Sequence, residues 1–418
     1  MKTNKLLATL IEKCSAHKAW DTFSSAPHRM FFFGGAVQSL LILTWWLIDL
    51  GGRYGGFYAP IAWSVSPTEA HAFLMIYGFF PFFMFGFLMT TYPRWMNGEE
   101  ISRRHYISAF LLLVTGIVLF YAGLIISQSL LQLGLLIFLS GWAVGLYALL
   151  RVYVRATHPD KRHATITSAV LSLGWLLIAC FVAGGVLPLT VARTGGIWLF
   201  LLPVFFAVSH RMIPFFSASV IPDYKIVRPN WALILFPAGA LLHAILELAG
   251  QQAWTWLIDF PIAAVAIYLT FTWRLRANLS TPILGMLHIG FAWLGIALLL
   301  YAVQSLTLLT TGQLILAKAP LHALSLGYFT SMLLGMVTRV TLGHSGAALA
   351  VDRPTWIIFL VFQLVPILRI IAELPGLGFT LRSHLYLCTG IIWLACFAIW
   401  FCKFAPMYWR PRLDGRLG

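Results

Sequence analysis

Apolar runs long enough to cross a lipid bilayer as helices recur twelve times along this chain and leave little sequence between them. They cover roughly residues 30 to 49, 69 to 93, 106 to 126, 129 to 154, 164 to 186, 194 to 219, 231 to 250, 253 to 273, 281 to 303, 319 to 342, 354 to 373 and 384 to 404. In lipid every backbone N–H and C=O must be satisfied internally, so runs of this length imply helices. The expected fold is all-α, a polytopic membrane protein with twelve transmembrane helices forming a single integral membrane domain over residues 1–418. Within it, residues 1–29 read as a cytoplasmic amphipathic lead-in, 30–404 as the twelve-helix bundle and 405–418 as a cytoplasmic tail. No polar stretch has the length of a separate soluble domain, and no internal repeat is evident.

With 60% of residues hydrophobic and 10% charged, a soluble globule is excluded. The net charge of +15 calls for no nucleic-acid partner, because the basic residues lie in short loops that orient the spans. Most of the 28 Lys and Arg residues fall on the loops that share a side with both termini. The other side keeps only Arg53, Arg193, Lys318, Arg369 and Arg382, so both termini are expected in the cytoplasm and the protein in the inner (plasma) membrane. Cys14, Cys180, Cys388, Cys396 and Cys402 show no paired spacing and read as small core residues. The amino terminus lacks the apolar region and cleavage site of a signal peptide.

The tenth run, Ala319 to Gly346, organises the chemistry. His322 and His344 lie about 33 Å apart along a continuous helix, near opposite membrane faces. Ionisable groups in lipid are costly and face partners or ligands. Orientation puts His71 and His322 at matching depth near the outer surface, on the second and tenth spans, as two axial haem ligands require. Arg53, Arg369 and Arg382 are outer candidates for haem propionates, although orientation and solvation alone are the better account of each. His384 begins the twelfth span. His210 and His288 match in depth near the inner side, and with His243 and Met286 they form the available copper set. A second inner grouping is His210, His288 and His344 with Arg211 and Arg339 beside them, for a metal or a second haem. Its plainer alternative is that Arg339 and His344 cap the helix end. Gly343 and Gly346 permit the turn that would fold His344 back. Glu247, one turn from His243, and Asp259 across a short turn are candidates for a proton relay, or simply partners of an Arg or backbone group. Single membrane histidines often only hydrogen-bond a neighbouring helix, and Met75, Met84, Met89, Met332 and Met336 read as packing. His17, His28, His105, His158 and His163 lie in basic inner segments and need no special role.

The segment HALSLGYFTSMLLGMVTRVTLGHSG resembles the HALTVG and MxTRxxLGHTG signature of the NnrS family, haem- and copper-containing membrane proteins of nitric oxide metabolism. SHRMIPFFSASVI, LHIGFAWLGIALLL and AHAFLMIYGFF with GFLMTTYPRWMNG also resemble that family's sixth-, ninth- and second-span stretches. Where the family commonly has HAHEM, this chain has His71, Ala72, Phe73, Leu74 and Met75, without the second histidine and the glutamate. The resemblance implies haem, expected as b type since no CxxCH occurs, together with copper, nitric oxide or a related small molecule as partner, an unknown electron donor, and protection against nitrosative stress. A weaker likeness is to the catalytic subunit of haem-copper oxidases and nitric oxide reductases, whose outer haem is held by the second and tenth helices. Here the HPEVY and paired HH of that subunit are missing. Whether the chain is an enzyme stays open. The alternative function is a membrane transporter or metal exporter in which the histidines, Glu247 and Asp259 line a path.

Overall fold

The computed structural model describes residues 19–415, so the first 18 residues of the lead-in, with Cys14, His17 and four of its lysines, lie outside the described residues. Each apolar run forms a helix, and the ends fall where capping residues or prolines stop it. We number the rods α1 (Pro27–Arg53), α2 (Pro67–Met96), α3 (Arg103–Ile126), α4 (Gln128–Arg155), α5 (Arg162–Ala183) and α6 (Val186–Ala218). They continue with α7 (Asn230–Leu248), α8 (Trp256–Thr272), α9 (Pro282–Thr311), α10 (Ala319–Ser345), α11 (Arg353–Ile371) and α12 (Phe379–Phe404). Among the described residues eleven helices are long and apolar enough to cross a membrane. The eighth run is the short one: α8 has 17 residues, at the lower limit for spanning, bounded by Thr255 and Trp273. Residues 19–415 contain no strand.

Several rods depart from a regular α-helix, and the sequence explains some of the departures. In α2 the helix stops at Ile76 and restarts at Phe80, since Pro81 lacks an N–H and its ring crowds the preceding turn. In α11 the break at Gln363 precedes Pro366 in the same way. Widened π-helical turns run through Gly196–Leu201 in α6 and Ala323–Thr330 in α10. Such turns recur at functional positions. Gly346, at φ 75°, ends α10 in the left-handed conformation, so the expected turn is there, while Gly343 stays inside the helix.

Burial sorts the rods into an inner and an outer set. Between 72% and 89% of the apolar stretches of α2, α6, α9 and α10 is enclosed, against 28% to 50% in the other rods that pass the length test. The inner set carries His71, His210, His288, His322 and His344, whereas His243 lies on α7 of the outer set. Close approach is built in where α9 crosses α10: a Cβ on Gly290 would sit 2.9 Å from the backbone nitrogen of Met332. An ion pair of 2.6 Å between Arg193 and Glu69 ties α6 to α2. At the face that carries both described ends, here the terminal face, Arg29 donates to the carbonyls of Met407, Tyr408 and Arg410 at 2.9 to 3.4 Å. Phe23 stacks on Trp409 there at 4.0 Å.

Candidate functional site

The expected axial pair lies at the opposite, far face, where α2 begins after Ser66 and α10 begins after Lys318. His71 stacks on Trp46 of α1 with ring centroids 3.9 Å apart, which fixes its plane. Its Nδ1 is buried without a partner. The Nδ1–H of His322 donates to the Lys318 carbonyl at 2.8 Å, leaving Nε2 with the lone pair. No hydrogen bond among the described residues engages the Nε2 of either ring. His71, His322 and Arg369 lie close enough for their charges to interact, and Arg53 reaches His71 as well. Both arginines are anchored: Arg53 donates to Asp49 at 2.6 Å, and Arg369 pairs with Glu373. Trp63 donates to Asp49 at 2.9 Å and Tyr386 to Glu373 at 3.1 Å, so each carboxylate is held in turn.

A second far-face cluster forms around His243. Its Nδ1 meets Asp259 at 2.7 Å, and its Nε2 faces Glu247 at 3.4 Å. Trp198, set by the π-helical turn of α6, stacks on the imidazole at 3.5 Å. Thr194 donates to Glu247 at 3.1 Å. The two carboxylates expected to share a proton are thus joined through an imidazole. Asp259 keeps its second oxygen buried and unpartnered.

The other histidines pair off at the terminal half. His163 Nε2 and His210 Nδ1 are 3.0 Å apart, and His210 Nε2 lies 3.2 Å from the Pro229 carbonyl. A carbonyl only accepts, so neutral His210 carries its proton on Nε2 and accepts from His163, whose Nδ1 is left as a buried lone pair. His288 meets the Ser217 hydroxyl at 3.0 Å. His344 packs against His28 with centroids 4.4 Å apart, and Thr90 lies 3.4 Å from His28. Nearby, in the loop before α5, hydrogen bonds from Arg162 hold the Asp160 carboxyl down to about 2.

These contacts meet one comparison with known proteins: a family model described as NnrS protein matches residues 22–412. The chain belongs to the NnrS family. No curated protein matches it.

Within this NnrS chain the structure redraws the two inner groupings. Among the described residues no three His, Cys, Asp or Glu side chains converge to hold a metal. The set of His210, His243 and His288 is divided because each already has a protein partner on a different helix, and His344 turns to α1. Arg211 lies over the Trp95 ring at 4.7 Å, near enough for its charge to act on His163. Arg339 lies over Phe216 at 3.8 Å and does not cap the end of α10. His28 and His163, read from sequence as ordinary loop-side groups, prove to be the partners of His344 and His210. Only their place at the very start of α1 and α5, at the depth of the matching ends of α10 and α6, could have signalled it.

Proposed function

We propose that this NnrS-family membrane protein binds a haem of b type between His71 and His322 and serves the nitric oxide response, protecting the cell from nitrosative stress. The observation that carries the reading is the pair of imidazoles on two central helices, both with Nε2 free of hydrogen bonds, beside Arg53 and Arg369. The residues suit the group. Lys318 sets the His322 tautomer, Trp46 orients His71, and two arginines stand where propionates need cations. When bound, such a haem supplies one-electron transfer. The chain's own part is to hold both rings rigid and to screen the site with the carboxylate-anchored arginines. Nitric oxide, uncharged, would reach the bundle through lipid. A cavity of about 50 Å³ between α1, α2, α6 and α10, lined by apolar residues including Phe32, Met84, Phe205, Met332 and Val337, suits a small apolar solute. In this reading Glu247, His243 and Asp259 pass protons from the far face inward. The lopsided loop charge supports cytoplasmic termini in the plasma membrane.

The described residues do not suit a three-imidazole copper centre, and no step is assigned to copper. A transporter or metal exporter is disfavoured because His210, His243, His288 and His344 each have a protein partner in a separate cluster. The visible spectrum of the purified protein decides between the classes. The expected result is a Soret band with low-spin features that His71→Ala and His322→Ala each abolish or reshape. A colourless wild-type protein, or spectra unchanged in both variants, would refute the haem reading.

A further inference from the structure

The terminal half of α10 holds a charge that no ion pair among the described residues balances. Arg339 is 5% exposed. Its one hydrogen bond is a long one, 3.4 Å from Nη2 to the Ser219 hydroxyl. Nε and Nη1 are buried without a partner, which leaves three N–H donors unused. Phe216 covers one side of the guanidinium at 3.8 Å. No acidic or basic side chain of the described chain lies near enough to act on it. Arg339 sits more than a turn before the end of α10 at Ser345, beyond the reach of the helix-end dipole. A lone cation in this setting is expensive, and one cation–π contact does not offset its desolvation.

We propose that Arg339, steadied by Ser219, forms a binding site for a small planar oxyanion of the nitrite, nitrate or carboxylate class. A single buried guanidinium balances a single negative charge, which favours a monoanion over a phosphate dianion. The planar fork of the guanidinium matches two oxygens of a planar anion. The Ser219 hydroxyl, at the end of α6, donates to the Phe216 carbonyl at 2.7 Å and accepts from the guanidinium, so it steadies the Arg339 fork. The approach from the terminal face is electropositive: Lys225 and Arg228 lie between α6 and α7, and Arg274 and Arg276 between α8 and α9. Tyr224 in the first of these loops lies 3.5 Å from the Trp273 carbonyl, so the two loops meet beside the end of α6.

The test is thermal unfolding of the purified full-length protein with sodium nitrite against sodium chloride at equal ionic strength. Nitrite should raise the unfolding midpoint of the wild type. Arg339→Met should lose that response, and Arg339→Lys, with the charge but not the fork, should need about tenfold more nitrite. Ser219→Ala should weaken the response in a variant that keeps the arginine. Nitrite and chloride acting alike on the wild type would overturn the proposal, as would an equal nitrite response in Arg339→Met. If haem alone, and no added anion, stabilises the wild type over Arg339→Met, the counter-anion is a propionate and the free-anion site is refuted. A nitrite response that survives in His322→Ala separates this site from the haem reading.

Discussion

His243 holds its two carboxylates unequally, and the difference is measurable. Asp259 is fully enclosed and 2.7 Å away, while Glu247 keeps a third of its side chain exposed at 3.4 Å. Removing the enclosed partner strands a buried imidazole, so Asp259→Ala should cost about 3 kcal/mol of stability. Glu247→Ala should cost less than about 1 kcal/mol. Chemical unfolding in detergent checks the pair, and equal losses would count against the asymmetry. For the relay itself, Glu247→Gln should weaken protection against nitric oxide without changing haem content. At this scale the sequence placed the histidines along their spans better than it named whom they touch. His71 and His322 could be matched because depth follows from position along a span. The bond between His163 and His210 joins helices through packing, which no periodicity records.

The helices were legible, since lipid demands a length, but not all of their ends: α6 starts eight residues before the run expected from 194, and α9 continues eight past 303. Their irregular turns were not, because a π-helical turn has no composition of its own. The turn at Ala323–Thr330 directly follows His322 and sets its bearing relative to the rest of α10. Deleting Ser325 should restore a regular helix and rotate His322 by about 100°, removing the haem spectrum while overall helicity by circular dichroism persists. Where α9 crosses α10, Gly290→Ala should cost about 1 to 3 kcal/mol by overpacking, read from thermal unfolding. At the start of α11, the Lys403 ammonium and then Thr355 hold the Asp352 carboxyl down to about 2. The folded value lies below the usual carboxyl value of about 3.9, so the contribution is present above about pH 4 and fades as pH falls toward 2. Asp352→Ala should therefore be less stable by about 1 kcal/mol at neutral pH, as for a lost helix cap. An acid titration of unfolding should bring the two proteins together near pH 2.

For the molecule as a whole, hydropathy foretold the class and the number of rods, with the short α8 as the exception. The division into four central and eight surrounding helices was hidden, because uniformly apolar rods carry no marked polar stripe to say which side meets lipid. One earlier contact has a further meaning for how such a bundle is made. Arg29, at the start of α1, is secured by carbonyls of residues 407, 408 and 410, and Leu47 of α1 packs against Gly390 of α12. A ribosome adding about 5 to 20 residues per second delivers those partners roughly 20 to 80 s after α1 has been made. Through that interval the first helix waits in the bilayer with one flank unclaimed, and its guanidinium must be sheltered by headgroups, water or the insertion machinery. The segment that carries those carbonyls is then the clasp that ends the wait.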